Sequence, residues 1–143
     1  MSRSIQLLIV GVWIGLVMGL SFIEAPLKFQ APGITTELGL GIGRLVFGAL
    51  NKIELLFSTI LLVMAFREWG GWASVLKISV SLVIAIVLIQ SVILLPILNA
   101  RVAAILAGQE VPSSWHHLGF IALEVIKLVT LFMLFFQFSK KEE

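Results

Sequence analysis

The chain has 143 residues, 59% of them hydrophobic and 13% charged, with a formal charge of +2. A soluble domain is about a quarter charged, so too few polar side chains are present to clothe a water-facing surface, and lipid is the expected solvent. The absence of cysteine excludes disulfides, Cys-ligated zinc and iron–sulfur clusters. Lys and Arg scattered singly exclude a nucleic-acid surface, while Lys140 and Lys141 suit anionic headgroups of a lipid bilayer.

A helix needs roughly 20 mostly apolar residues to cross a hydrocarbon core about 30 Å thick. Four segments qualify, at about 5–23, 45–66, 72–98 and 115–138. They predict an all-α fold, a four-transmembrane-helix antiparallel bundle forming one integral membrane domain over residues 1–143. The first apolar run exceeds the roughly 7–15 residues of a signal-peptide core. It ends in Glu24-Ala25-Pro26-Leu27-Lys28 with no A-x-A-like site, so it reads as a retained helix.

Pro26, Pro32 and Gly33 are expected to break the chain after the first span, with Thr35 or Thr36 capping the second helix. Trp69-Gly70-Gly71-Trp72 reads as a short turn at a bilayer surface, where tryptophan is enriched. Gly108 and Pro112 should end the third helix, and Ser113 or Ser114 should cap the fourth. Helices two and three are expected to run past the membrane, or tilt, beside loops one and three. One side then carries Arg3, Arg67, Lys77, Lys140 and Lys141, the other Lys28, Arg44, Lys52 and Arg101. That small excess places both termini in the cytoplasm, with a prokaryotic inner membrane as the expected location.

Gly11, Gly15 and Gly19 form a small-residue stripe on helix one, a pattern that lets helix backbones approach closely in lipid. Packing within the bundle is the expectation, and homodimerisation through helix one is the alternative. Gly39-Leu40-Gly41-Ile42-Gly43 has neither the G-x-G-x-x-G nor the G-x-x-x-x-G-K-[ST] spacing, and no strand precedes it, so nucleotide binding is rejected. These glycines should instead let helix two begin against a neighbour.

Ionisable groups at membrane depth cost at least about 2.5–3.5 kcal/mol each and face protein or water. On helix two, Arg44, Asn51, Glu54 and Ser58 share one face by their spacing, and Lys52 lies off it. Helix four offers His117, Glu124 and Lys127, the last two spaced for an i,i+3 ion pair. Helix one offers Ser21, Glu24 and Lys28, with Trp13 on the same side, and helix three offers Gln90, Asn99 and Arg101. In an up-down bundle these groups collect in one half, leaving the other nearly pure Leu, Ile, Val and Phe. A polar pocket opening beside loops one and three is expected, with Glu24, Arg44, Asn51, Glu54, Gln90, Arg101, His117, Glu124 and Lys127 as its ligand-binding residues.

Three functions fit such a pocket. It could bind, or bind and transport, an ion, a proton or a small polar ligand. It could belong to a membrane oxidoreductase with a metal, haem or quinone-like cofactor, where His117, Glu54 and Glu124 are the candidate metal ligands, although no E-x-x-H or H-E-x-x-H spacing occurs. Or Glu54 and Glu124 could pair with Arg44, Lys127 or Arg101 only to fix helix register in a membrane scaffold. Adjacent His116 and His117 point about 100° apart on a helix, so His116 reads as an interfacial residue near Trp115. No nucleophile–base–orienter set is visible, which leaves enzymatic activity open.

Ser21-Phe22-Ile23-Glu24-Ala25-Pro26-Leu27-Lys28-Phe29, followed by Gly43-Arg44-Leu45-Val46-Phe47, resembles the CopD-like superfamily of four-helix membrane proteins. The similarity lies mainly in residues 11–60, and the remaining helices match in number. That superfamily includes copper-resistance domains, uncharacterised TMEM-type proteins and protoporphyrinogen oxidases, so the resemblance implies the four-helix fold. Its copper-handling members imply His and Met ligands, but Met18, Met64 and Met133 do not cluster in sequence. Its haem-linked members imply a histidine in an early helix, and both histidines here precede helix four.

Overall fold

A computed structural model describes residues 3–140. Lys141, counted above among the charges that bias orientation, lies outside the described residues. The fold is all-helical, with four long apolar helices: α1 (Arg3–Gln30), α2 (Thr36–Gly71), α3 (Ser74–Leu106) and α4 (His116–Ser139). The shortest, α4, has 24 residues and at 1.5 Å per residue reaches about 36 Å. Each helix is therefore long enough and apolar enough to cross a bilayer. Helix α2 starts nine residues before the predicted apolar body at Leu45, and α3 continues eight beyond Leu98, so both overrun the predicted spans.

Local chemistry sets the boundaries. Gly33 has φ +80°, a left-handed turn that glycine adopts at little cost, and the Thr35 hydroxyl then accepts a hydrogen bond from Leu38 N at 3.1 Å to cap α2. Gly108, with φ +76°, closes α3 as Gln109 N donates back to Ala104 O, the six-to-one bond of a Schellman ending. Ser114 Oγ accepts from His116 N at 3.2 Å and starts α4.

Pro26 does not break α1, contrary to expectation. A proline inside a helix lacks the N–H for the i−4 bond and its ring crowds the carbonyl four residues back. The turn before it, Met18–Glu24, widens to π-helix, with Ala25 N donating to Leu20 O, and the helix continues through Ala25–Leu27. Helix α3 repeats the device: Gln90–Leu94 is π-helical, Leu95 N donates to Gln90 O, and Pro96 follows. The break after α1 comes at Pro32 and Gly33, the other two residues expected to cause it.

Each helix touches the next, and α4 closes against α1. Arg3 donates from its guanidinium to Phe138 O, while Ser21 near the other end of α1 reaches Glu124. One half of the bundle is a core built on residues such as Val10, Val17, Leu61, Val83, Val87 and Leu131. It is not free of polar contacts, as the sequence suggested: Gln6 donates to Glu68 at 3.0 Å, and Gln137 to Ser79 at 3.4 Å. Large apolar side chains such as Leu45, Phe66 and Val92 face outward and exposed.

The glycine stripe packs only in part. A Cβ on Gly11 would lie in ordinary contact, 3.5 Å from the Phe135 ring, but one on Gly15 or Gly19 would meet nothing within 4 Å. Close approach occurs instead at Gly39, where a Cβ would fall 2.2 Å from the Phe29 ring.

Candidate functional site

Trp13, Glu54, Gln90 and Lys127 lie near the middle of their four helices and meet in a closed network. Lys127 is 0% exposed, Glu124 2% and Glu54 3%. The Lys127 ammonium has three N–H groups and three acceptors: Glu54 Oε1 at 2.5 Å, Glu124 Oε1 at 2.6 Å and Gln90 Oε1 at 2.8 Å. Trp13 Nε1 also donates to Glu54 Oε1, at 2.9 Å. Gln90 Nε2 donates to Glu124 Oε1 at 2.9 Å, and Ser21 Oγ to Glu124 Oε2 at 3.0 Å. All four helices therefore contribute to one hydrogen-bonded centre.

The two π-turns carry part of this geometry. Ser21 lies within the widened turn of α1, and Gln90 opens that of α3. A π-turn rotates the following residues relative to an α-helix, and such bulges recur at functional sites. Glu124 and Lys127 need no such adjustment, since three residues along α4 place both on one face.

Above the centre is a cavity of about 560 Å³ between the end of α1, the start of α2, the end of α3 and the start of α4. Its walls are largely apolar and include Phe22, Phe29, Leu95 and Leu98, with Phe47 edge-on to Phe120 at 5.6 Å between ring centres. Lys28, Arg44, Arg101 and His117 also line it, and Ser21 and Glu124 connect it to the network below. Exposed Phe22, Phe29, Arg44 and His117 show that it reaches the surface. Lys28 Nζ lies 5.6 Å from the Phe29 ring centre and 5.8 Å from that of Phe47, within cation–π range.

The nine residues singled out as ligand-binding therefore divide. Glu54, Gln90, Glu124 and Lys127 join the centre. Arg44, Arg101 and His117 line the cavity with Glu124. Asn51 is elsewhere, donating to Ser91 Oγ at 2.6 Å between α2 and α3. Glu24 is absent from the cavity lining and pairs with Lys28 at 3.3 Å, one turn along its own helix. Neither Arg44 nor Arg101 pairs with Glu54 or Glu124; Lys127 takes both carboxylates, and Arg101 donates to Pro112 O.

The candidate metal set also separates. His117 is an exposed cavity-wall residue, whereas Glu54 and Glu124 are turned onto Lys127. No group of three His, Cys, Asp or Glu side chains among the described residues could hold a metal ion. His116 stacks on Trp115, with ring centres 4.4 Å apart.

Two members of the centre were not among the expected ligand-binding residues, Trp13 and Ser21. The signal for Trp13 was its depth: tryptophan belongs at membrane surfaces, and a buried indole N–H needs an acceptor. Ser21 was placed on the polar side of helix one by its spacing but was not carried into the ligand-binding set; it lies in the π-turn and donates to Glu124. Ser58, on the Glu54 face of α2, has a buried hydroxyl with no hydrogen-bond partner among the described residues. Comparison with protein-family models, with curated proteins and with solved structures yields no match, so the chemistry of the site is read from its own geometry.

Proposed function

We propose that the chain is an integral membrane protein, crossing the bilayer four times as an antiparallel bundle, which binds a small amphipathic anion in the cavity beside loops one and three. The cavity itself carries this reading. Its volume of about 560 Å³ lies within the roughly 300–1,000 Å³ of small-molecule sites and far exceeds what a bare ion needs. Its aromatic and aliphatic walls suit an acyl or ring body. Arg44 and Arg101 give the lining a cationic excess, because Lys28 is paired with Glu24 and the one lining carboxylate, Glu124, is already held by Lys127, Gln90 and Ser21.

A diazirine-bearing fatty acid, photoactivated with the protein in lipid nanodiscs, tests this. Labelling should fall on the cavity walls of α3 and α4, be displaced by excess oleate, and be lost in Leu98→Trp, which fills the cavity. Arg44→Gln should weaken it. Labelling spread over the outer apolar surface, or equal displacement by the uncharged amide of oleate, would defeat the proposal.

The scaffold reading is favoured by a different observation: every helix contributes to the central network. It predicts that Glu54→Gln and Glu124→Gln impair folding while leaving photolabelling of the surviving folded protein unchanged.

A further inference from the structure

The central network contains an imbalance that hydrogen-bond geometry does not remove. Glu54 and Glu124 are two carboxyls, Lys127 is one ammonium, and the other members, Trp13, Ser21 and Gln90, are neutral. With every group ionised, the centre would hold a net charge of −1 on three side chains at most 3% exposed. An isolated buried charge costs several kcal/mol even after relaxation. Among the described residues, Lys127 is the cation that pairs with Glu54 and Glu124. On α1, Lys28 pairs with Glu24; on α2, Arg44 lines the cavity and Lys52 is exposed; on α3, Arg101 is occupied with Pro112 O; on α4, His117 is an exposed cavity-wall residue.

We infer that Glu54, Lys127 and Glu124 together form a proton-binding site that holds one exchangeable proton at neutral pH. Lys127 has three acceptors for three N–H groups, so it remains the ammonium and the extra proton resides on the carboxyl pair. An O–H bond forms at one carboxylate, the proton comes from water, and no group is oxidised or reduced. Two carboxyls coupled through one ammonium share that proton as a unit.

The network also has a place for the proton to enter. Glu124 and Ser21 line the cavity, so the carboxyl pair meets the solvent side through Glu124. The Ser21 hydroxyl can accept as well as donate, and thus suits either protonation state of the oxygen beside it. Trp13 N–H is donor-only and stays satisfied while Glu54 is a carboxylate. The site stands on this charge count and is independent of which ligand the cavity takes.

Infrared spectroscopy of the protein in lipid nanodiscs at neutral pH counts protonated carboxyls directly. Wild type should show the C=O stretch of one carboxylic acid per chain, shifting in D₂O. Glu54→Gln and Glu124→Gln should each lose that band, because a neutral amide replaces the acid and the remaining carboxylate balances Lys127. Lys127→Met should double it, since both carboxyls must then be neutral. Wild type without the band, or either Gln variant retaining it, overturns the proposal. The Gln variants keep the experiment decisive if Lys127→Met fails to fold, and no cavity ligand is needed, so failure here is separable from failure of the photolabelling.

Discussion

The bundle uses charge in two opposite ways within a few helical turns. At the centre, Lys127 commits all three N–H groups to oxygens between 2.5 and 2.8 Å away. In the cavity, Lys28 reaches Glu24 at 3.3 Å, Arg101 uses one nitrogen on a loop carbonyl, and exposed Arg44 makes no hydrogen bond or ion pair with any described residue. The difference follows from solvation. A buried ion is tolerated only where its partners are already in place, whereas an exposed one keeps its water and its freedom. The closed centre therefore ties side chains of all four helices into one network, and the open end leaves Arg44 without a side-chain partner among the described residues.

Removing Lys127 should break that contrast most severely. Lys127→Ala strands two carboxyls without their shared cation and is expected to cost about 3–5 kcal/mol, read by equilibrium unfolding in mixed micelles. Arg44→Ala in the cavity wall should change stability by less than about 0.5 kcal/mol. Similar losses from the two substitutions would erase the distinction between the regions. Combining Lys127→Met with Glu54→Gln and Glu124→Gln should recover much of the loss, because no unpaired charge then remains.

Next in size is Gly39→Ala, at the mouth rather than the centre. Its Cβ would overlap the Phe29 ring at 2.2 Å, and overpacking of this kind costs about 1–3 kcal/mol. Phe29→Ala in the same chain should restore stability by removing the ring. If Gly39→Ala is neutral alone, the mouth is looser than the contact implies.

How much of this was legible beforehand depends on the range of the signal. The four apolar helices follow from composition and run length, which are local properties. The Glu124–Lys127 pair follows from i,i+3 spacing on one helix. The joint role of Lys127 was not legible, because choosing it over Arg44 and Arg101 as partner of Glu54 depends on how α4 is rotated against α2. Pro26 misled for a related reason: its local preference is to end a helix, but a π-turn absorbs the missing hydrogen bond. Glu24 lay in the right region, yet its nearest cation was one turn away on its own helix.

A finer probe of the centre is Trp13→Phe, which keeps an aromatic ring in the core but deletes the donor to Glu54. Hydrogen bonds between membrane helices average about 0.6 kcal/mol and reach about 1.7, so the loss should fall in that interval in the unfolding assay. A loss as large as that of Lys127→Ala would mean that the indole N–H, rather than the ammonium, sustains Glu54.

The smallest effect is expected at Gly15, which is exposed and where an added Cβ would meet nothing of the chain within 4 Å. Gly15→Leu should leave monomer stability within about 0.5 kcal/mol of wild type, even though the substitution is bulky, because the new side chain points away from both the centre and the cavity. Native mass spectrometry from mild detergent then isolates any role between chains. If wild type is dimeric and Gly15→Leu is a stable monomer, the outward glycines serve a second copy; if the oligomeric state is the same in both, the stripe contributes only the Gly11 contact with Phe135. A large loss of monomer stability would instead place Gly15 inside the packed bundle and contradict the observed rotation of α1, the same rotation that turns Trp13 toward Glu54 and Ser21 toward Glu124.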